Sequence, residues 1–307
     1  MFILLSWSLY RQIISQPDLA HRWSKLKVSW QEAGTWIVLV LMFANWGVES
    51  LKWKLSVAFL ERISFLKAFK SVLSGCSVTM LTPNRMGEYG GRILYLHENN
   101  RLNAISITIL GSLSQLMITM ILGCISLVII SADHLIITSD GKWLMGKLLF
   151  SVSAILTILL ILIYFRIGKW VLWLQRLPFT QSFVKHVIVI SSFKRKLLLR
   201  MLFLSFLRYM IFILQYVIML QVMEVDIPLK ESFLLIAVFY MVMAIAPTVG
   251  FIELPVRAVA SVQVFGILSF NTIGIQAATL GIWLINLVLP AVIGSLLIFG
   301  IKILKEK

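Results

Sequence analysis

Long apolar runs recur along almost the whole chain, at the lengths expected of helices that cross a lipid bilayer. The hydrocarbon core takes roughly 17–25 predominantly apolar residues in one helix. Residues 103–130, 143–165 and 275–301 reach this length with few interruptions. Residues 35–51, 197–222 and 233–246 approach it with polar residues inside, the last running on toward Pro255. Segments 63–82 and 256–270 are shorter and adjoin patches containing glycine and proline. The opening stretch MFILLSWSLYRQII reads as a short or tilted first span, because it lacks the basic start and small-residue cleavage site of a signal peptide. The pattern predicts an all-α polytopic membrane protein with about six to eight transmembrane helices, one or two of them re-entrant or broken. No linker-like or low-complexity stretch interrupts it, so residues 1–307 are expected to form a single integral membrane domain.

Composition strengthens the membrane reading. Sixty per cent of the residues are hydrophobic, 13% are charged and the mean hydropathy is +0.95. The net charge of +15 would suit nucleic acid in a soluble chain, but here it points to basic loops beside anionic lipid. From Arg166 to Arg200 there are eight Lys/Arg and no acidic residue, which assigns that loop and the basic tail KILKEK to the cytoplasm. Loops 131–142 and 223–232 carry Asp133, Asp140, Glu224, Asp226 and Glu231 and are expected outside. Residues 52–70 and the region around Arg101 are both expected inside, so the chain from 63 to 96 dips in and returns, or crosses twice. Residues 11–32 break the rule, being basic yet outside by count; they form an interfacial amphipathic helix, or the first span is misassigned. Cys76 and Cys124 stand alone, and His21, His97, His134 and His186 lack ligand spacing, so neither a metal nor a cofactor is expected.

Two breaker-rich patches stand out against this apolar background. LTPNRMGEYGGR, residues 81–92, orders Pro83, Gly87, Glu88 and Arg92; APTVGFIELPVR, residues 246–257, orders Pro247, Gly250, Glu253 and Arg257. In each the arginine follows the glutamate by four residues, so the two side chains share a helix face. Proline frees a backbone carbonyl, glycine allows close approach, and arginine grips a phosphate with two parallel hydrogen bonds. A kink neutralised by its own ion pair explains either patch as packing alone. Paired interruptions in corresponding halves instead mark a transport site built from structural repeats. The first patch is expected at the tip of a re-entrant hairpin. The second is either re-entrant from the opposite face, as an inverted repeat requires, or at the cytoplasmic end of full spans.

TPNRMGEYGGR followed by APTVGFIELPVR resembles the lysylphosphatidylglycerol synthase transmembrane-region family, also called the flippase-like domain. NWGVESLKWKL, from Asn45 to Leu55, is similar to the family's Asn…Arg-Trp stretch, with Lys52-Trp53 in place of Arg-Trp. The resemblance covers essentially the whole chain. It implies lipid translocation or handling of a lipid intermediate, not aminoacylation, because Lys307 follows directly on the last span where bifunctional members carry a soluble transferase domain.

The expected function is therefore a flippase-like lipid transporter of the bacterial inner membrane, multi-pass with a cytoplasmic C-terminus. Its partners are anionic or phosphate-bearing lipid headgroups, with no nucleic acid; a homo-oligomer or a membrane-enzyme partner is left open. Arg92, Arg85 and Arg257 are expected to hold the headgroup, with Glu88 and Glu253 tuning the charge, accepting a cationic headgroup or taking a proton. Pro83, Gly87, Pro247 and Gly250 shape the two patches. Arg208 lies deep in the 197–222 span with Gln215 on its face, as a cavity-lining stripe or as part of internal hydrogen bonding. Asn45 and Glu49 form a similar pair four residues apart, and Asn286 and Pro290 mark a kink. Two other readings stand beside the transporter: a membrane enzyme acting on a lipid-linked substrate, and an accessory subunit of an envelope-synthesis complex. Neither a nucleotide-binding loop nor a recognisable catalytic motif is present, so the chain is not expected to be an enzyme.

Overall fold

The computed structural model describes residues 31–80, 82, 87–132, 142–175, 187–245 and 253–305. Among them the regular structure is helical, with no strand: α1 (Ala33–Val57), α2 (Phe65–Met80), α3 (Gly87–Ile93), α4 (Glu98–Ala132), α5 (Lys142–Phe165) and α6 (Ile167–Leu174). A 3-10 turn (Ile188–Ser192) leads to α7 (Arg195–Val222), α8 (Leu229–Ile245), α9 (Glu253–Phe265), α10 (Thr272–Trp283), a π-helical turn (Leu284–Val288) and α11 (Leu289–Lys305). The expected first span and nearly all of the basic stretch 11–32 lie outside the described residues.

Four of these segments are long and apolar enough to cross a membrane, α1, α4, α7 and the run Thr272–Gly300, against the six to eight expected. Residues Phe150–Phe165 and Ile167–Trp173 make a fifth if the 75° bend between them is one broken span. Helices α2, with 16 residues, and α9, with 13, extend only about 24 and 20 Å at 1.5 Å per residue, short of a core about 30 Å thick. The long helices turn large apolar side chains outward, as α5 does with Ile155, Ile158, Leu159 and Leu162. Their hydroxyls fold back onto the preceding turn, Ser106 to the Asn103 carbonyl, Thr108 to Ala104 and Ser114 to Leu110, so they need no water. Beyond the bend, α6 buries Val171 and exposes Trp170, Leu172 and Trp173, the pattern of an interfacial belt. The kink expected from Asn286 and Pro290 is the π turn. Pro290 has no N–H for the Asn286 carbonyl, and the Leu289 N–H instead bonds Leu284, five residues back.

The chain divides into two compact units, and five of the boundaries fall within or at the ends of long helical runs. Unit 1 comprises Met1–Ala44, Thr119–Ser153 and Met210–Leu289. Its core centres on Tyr216, whose ring packs on Phe239 and Phe265 and whose hydroxyl lies 2.6 Å from Thr279 Oγ1. Gln215 donates to the Val38 carbonyl at 2.9 Å, which is the internal bonding expected as one option for that residue. At the end of α7, Glu224 takes φ 54° while the Val225 N–H closes back on the Leu220 carbonyl, a Schellman cap. Asn271 caps α10 through the Gly274 N–H and holds the Met223 and Glu224 carbonyls with its amide.

Unit 2 comprises Asn45–Ile118, Ala154–Tyr209 and Pro290–Lys307. It contains the hairpin formed by α2 and α3. Later residues of one helix meet earlier residues of the other, so the two run antiparallel: Ser71 Oγ donates to the Arg92 carbonyl at 2.6 Å, and the Gly87 N–H reaches Thr82 Oγ1 at 2.6 Å. Between those bonds the backbones touch. A Cβ on Gly91 would lie 2.3 Å from the Ser74 carbonyl oxygen, and one on Gly294 of α11 would lie 2.0 Å from that of Leu73. The open ends of the hairpin are tied by Glu61, whose carboxylate accepts from the His97 N–H and the Asn100 amide at 3.0 Å each and faces Lys67 at 3.4 Å. Partial burial pushes the Glu61 carboxyl up, but these donors outweigh it and hold it below the usual carboxylate range.

The glycine contact makes a sharp prediction. Gly91→Ala should lower thermal stability in detergent by about 1–3 kcal/mol through overpacking. Gly90→Ala, one residue away in open space, should be neutral or slightly stabilising. Equal melting temperatures for the two variants would contradict the backbone contact.

Candidate functional site

Helix α1 runs six residues past the span expected at 35–51, and the extension changes the role of Lys52. That residue is buried in unit 2 rather than lying in a cytoplasmic loop. The reason is local: Asn45, Glu49 and Lys52, with Trp46 and Trp53, recur at spacings of three and four residues and fall on one side of the helix. A basic residue so placed is kept in the helix by the carboxylate one turn earlier.

Glu49 is the hub. Its Oε1 lies 2.7 Å from Arg92 Nη2 of α3, and its Oε2 lies 2.8 Å from Arg208 Nη1 of α7 and 2.9 Å from Lys52 Nζ. The Lys52 ammonium completes its shell with Ser205 Oγ at 3.2 Å and the Gly111 carbonyl at 3.3 Å. Arg208 Nε donates to Asn45 Oδ1 at 2.7 Å, so the residue expected as a cavity stripe or an internal partner takes the internal role. Arg92 stacks over Trp53 with its guanidinium carbon 5.5 Å from the ring centre, and Arg208 over Trp46 at 4.9 Å.

Arg92 also bonds Glu88, four residues earlier on α3, as the motif spacing predicts. The two carboxylates of the cluster differ in access. The Glu49 side chain is 3% exposed and faces three cations, whereas that of Glu88 is 22% exposed and bonds Arg92. Counted over the described residues alone, Arg92, Lys52 and Arg208 against Glu49 and Glu88 leave one positive charge in excess. Donors are also in excess: Arg92 Nε, Trp46 Nε1 and Trp53 Nε1 are buried with no acceptor among the described residues.

The second patch contributes a pair in unit 1. Glu253 Oε1 accepts from Arg257 Nε at 2.6 Å, both residues lying on α9 and both 9% exposed. Pro83 and Arg85, and Pro247 and Gly250, fall in stretches outside the described residues. Gly87 is buried at the start of α3. Among the expected site residues, Glu88, Arg92 and Arg208 come together in unit 2, and Glu253 and Arg257 pair in unit 1. The sequence reading pairs Glu49 with Asn45, like Arg208 with Gln215, and places Lys52-Trp53 in the family resemblance, but neither these nor Trp46 stand among the expected headgroup contacts. Their three-and-four spacing was legible, but a cut at residue 51 placed Lys52 in solvent. No group of three or more His, Cys, Asp or Glu suited to a metal occurs among the described residues.

The model of the lysylphosphatidylglycerol synthase TM region family matches residues 13–299. No curated protein and no solved structure gives a significant match.

The hub role of Glu49 is testable through stability. Glu49→Gln removes the carboxylate shared by Arg92, Lys52 and Arg208 and should cost on the order of 3–5 kcal/mol, seen as a lower detergent melting temperature and lower folded yield. Glu88→Gln should cost no more than about 1–2 kcal/mol, because its carboxylate is partly solvated and Glu49 still neutralises Arg92. The reverse ranking would remove Glu49 from the centre of the cluster.

Proposed function

We propose a function from one premise: the chain belongs to the lysylphosphatidylglycerol synthase transmembrane-region family. Family membership gives it a multi-pass membrane setting and a lipid-related role. Within that role we read it as a flippase-like transporter that moves a phospholipid or another lipid phosphate. One observation carries this reading: a buried cluster of three cations with N–H donors in excess, whose most accessible carboxylate sits on its key arginine. Charged groups at membrane depth are costly and are retained chiefly where they serve a ligand pathway, and a phosphate diester brings both a negative charge and acceptors for the spare donors.

In this reading the headgroup engages Arg92, while Glu49 holds Arg92, Lys52 and Arg208 in place. The α2–α3 hairpin is the re-entrant element. Its short first limb, its antiparallel return and the Glu61 tie between its ends all support entry and exit on one side. The second patch, with Pro247, Gly250, Glu253 and Arg257, serves as a further headgroup contact. The proposed setting is a bacterial plasma membrane with the C-terminus in the cytoplasm, and no covalent step is assigned to the chain.

The test is transbilayer movement of labelled lipids by the purified protein in liposomes. Movement that depends on the headgroup, and is lost in Glu88→Gln and Arg92→Ala while both variants still elute as folded protein, is the expected result. Folded protein that moves none of a panel of anionic, zwitterionic, aminoacylated and polyprenyl-linked lipids would transfer the weight to an enzyme or an accessory subunit. The re-entrant hairpin is checked separately, in a background with Cys76 and Cys124 replaced by alanine. Single cysteines at Ser64 and Asn99, both exposed, should react with an impermeant reagent from the same face of the membrane. Reaction from opposite faces would make the hairpin a crossing.

A further inference from the structure

We propose that Glu88 is an internal stand-in for the anionic ligand: a phosphate-type oxyanion binds Arg92 by exchanging with the Glu88 carboxylate, while Glu49 stays fixed. The inference rests on the reading of the cluster as the lipid site and adds how that site is held ready and discharged. Three features separate the two carboxylates of Arg92. Glu49 uses both oxygens, on cations from α1, α3 and α7, so its departure would leave three charges uncompensated at once. Glu88 meets the cluster through Arg92 and stands on a helix of seven residues. Glu88 also keeps access to the outside that Glu49 lacks, 22% exposed against 3%.

The donors favour an acceptor richer in oxygens than one carboxylate. Arg92 Nε and the indole N–H groups of Trp46 and Trp53 are each buried, and no group among the described residues accepts from them. Both indoles stack on cluster arginines. A buried N–H group without an acceptor is destabilising, so a ligand that supplies one is favoured. A tetrahedral phosphate brings acceptors that the planar Glu88 carboxylate does not. Exchange is also nearly neutral in charge, since one anion replaces another on Arg92 and the released Glu88 is nearest to solvent. The ligand class is therefore an anionic phosphate with free oxygens. A headgroup that is only cationic is disfavoured, since it brings no acceptor for these buried N–H groups.

The experiment measures equilibrium binding to the full chain in a neutral detergent by calorimetry. The probes are short-chain phosphatidylglycerol, short-chain phosphatidylcholine and inorganic phosphate. Removing an internal competitor strengthens the external ligand, so Glu88→Gln should bind phosphatidylglycerol on the order of tenfold more tightly than the unaltered chain. Glu88→Asp, one methylene shorter, should gain less, and it carries the test if Glu88→Gln fails to fold. Glu98→Gln, which removes a carboxylate 79% exposed outside the cluster, should change nothing. Trp53→Phe, keeping a ring and losing the N–H, should weaken binding severalfold. An unaltered chain that binds while neither Glu88 variant gains would overturn the exchange and leave the lipid site standing. No binding of any probe by any folded variant would overturn both. Inorganic phosphate binding as tightly as phosphatidylglycerol would make the ligand a soluble anion and overturn the lipid source.

Discussion

One carboxylate, Glu49, fixes the geometry of unit 2. A bare charge inside an apolar helix is costly, and the cost is met here by concentration rather than avoidance. Three cations from three helices converge on its two oxygens, so α1, α3 and α7 take their mutual placement from a single side chain. The constraint matters most for α3. Seven residues are too few to hold a helix by their own hydrogen bonds, since nucleation is unfavourable and isolated helices need roughly 12–15 residues. Arg92 provides one anchor at its far end, and the glycine contact with α2 provides the other.

That second anchor explains the breaker-rich composition of the first patch. Two backbones at van der Waals distance leave no room for Cβ, and each orphaned backbone group at the end of a short helix needs a partner away from water. Thr82 accepts from the first N–H of α3, and Ser71 donates to one of its last carbonyls. Glycines that look like a weakness in an apolar run are thus the condition for packing a hairpin there. The glutamate and arginine cost less inside that packing than in lipid, because their partner carboxylate is already in place.

Much of this was legible in the sequence, and what was missed has a physical cause. The helical membrane class, the pairing of Glu88 with Arg92 and of Glu253 with Arg257, and the kink at Pro290 follow from hydropathy, spacing and proline chemistry. Lys52 was misplaced because a cation near the end of an apolar run looks like the start of a loop. Whether it is one depends on Ser205 and Gly111, 153 and 59 residues away, which no local pattern reports. Arg208 shows the same limit: its depth was readable, but its partners Asn45 and Glu49 lie 163 and 159 residues back along the chain. The shortness of α2 was readable too, since the apolar run at 63–82 falls below the length of a full span and the basic residues on either side of 63–96 point to a return.

The two Glu–Arg pairs show why a motif does not determine a site. They share residue types, spacing and helical setting. Among the described residues Glu253 pairs with Arg257, four residues on along the same helix. Arg92 is shared between Glu88 and Glu49, and Glu49 in turn is shared with Lys52 and Arg208. Sharing changes the chemistry: Glu49 is held by three cations, whereas Glu88 meets the cluster through an arginine that already has a second carboxylate. Equivalent spacing therefore produces a pair on one helix in one unit and, in the other, a cluster shared across three helices, which is the arrangement the proposed exchange builds on.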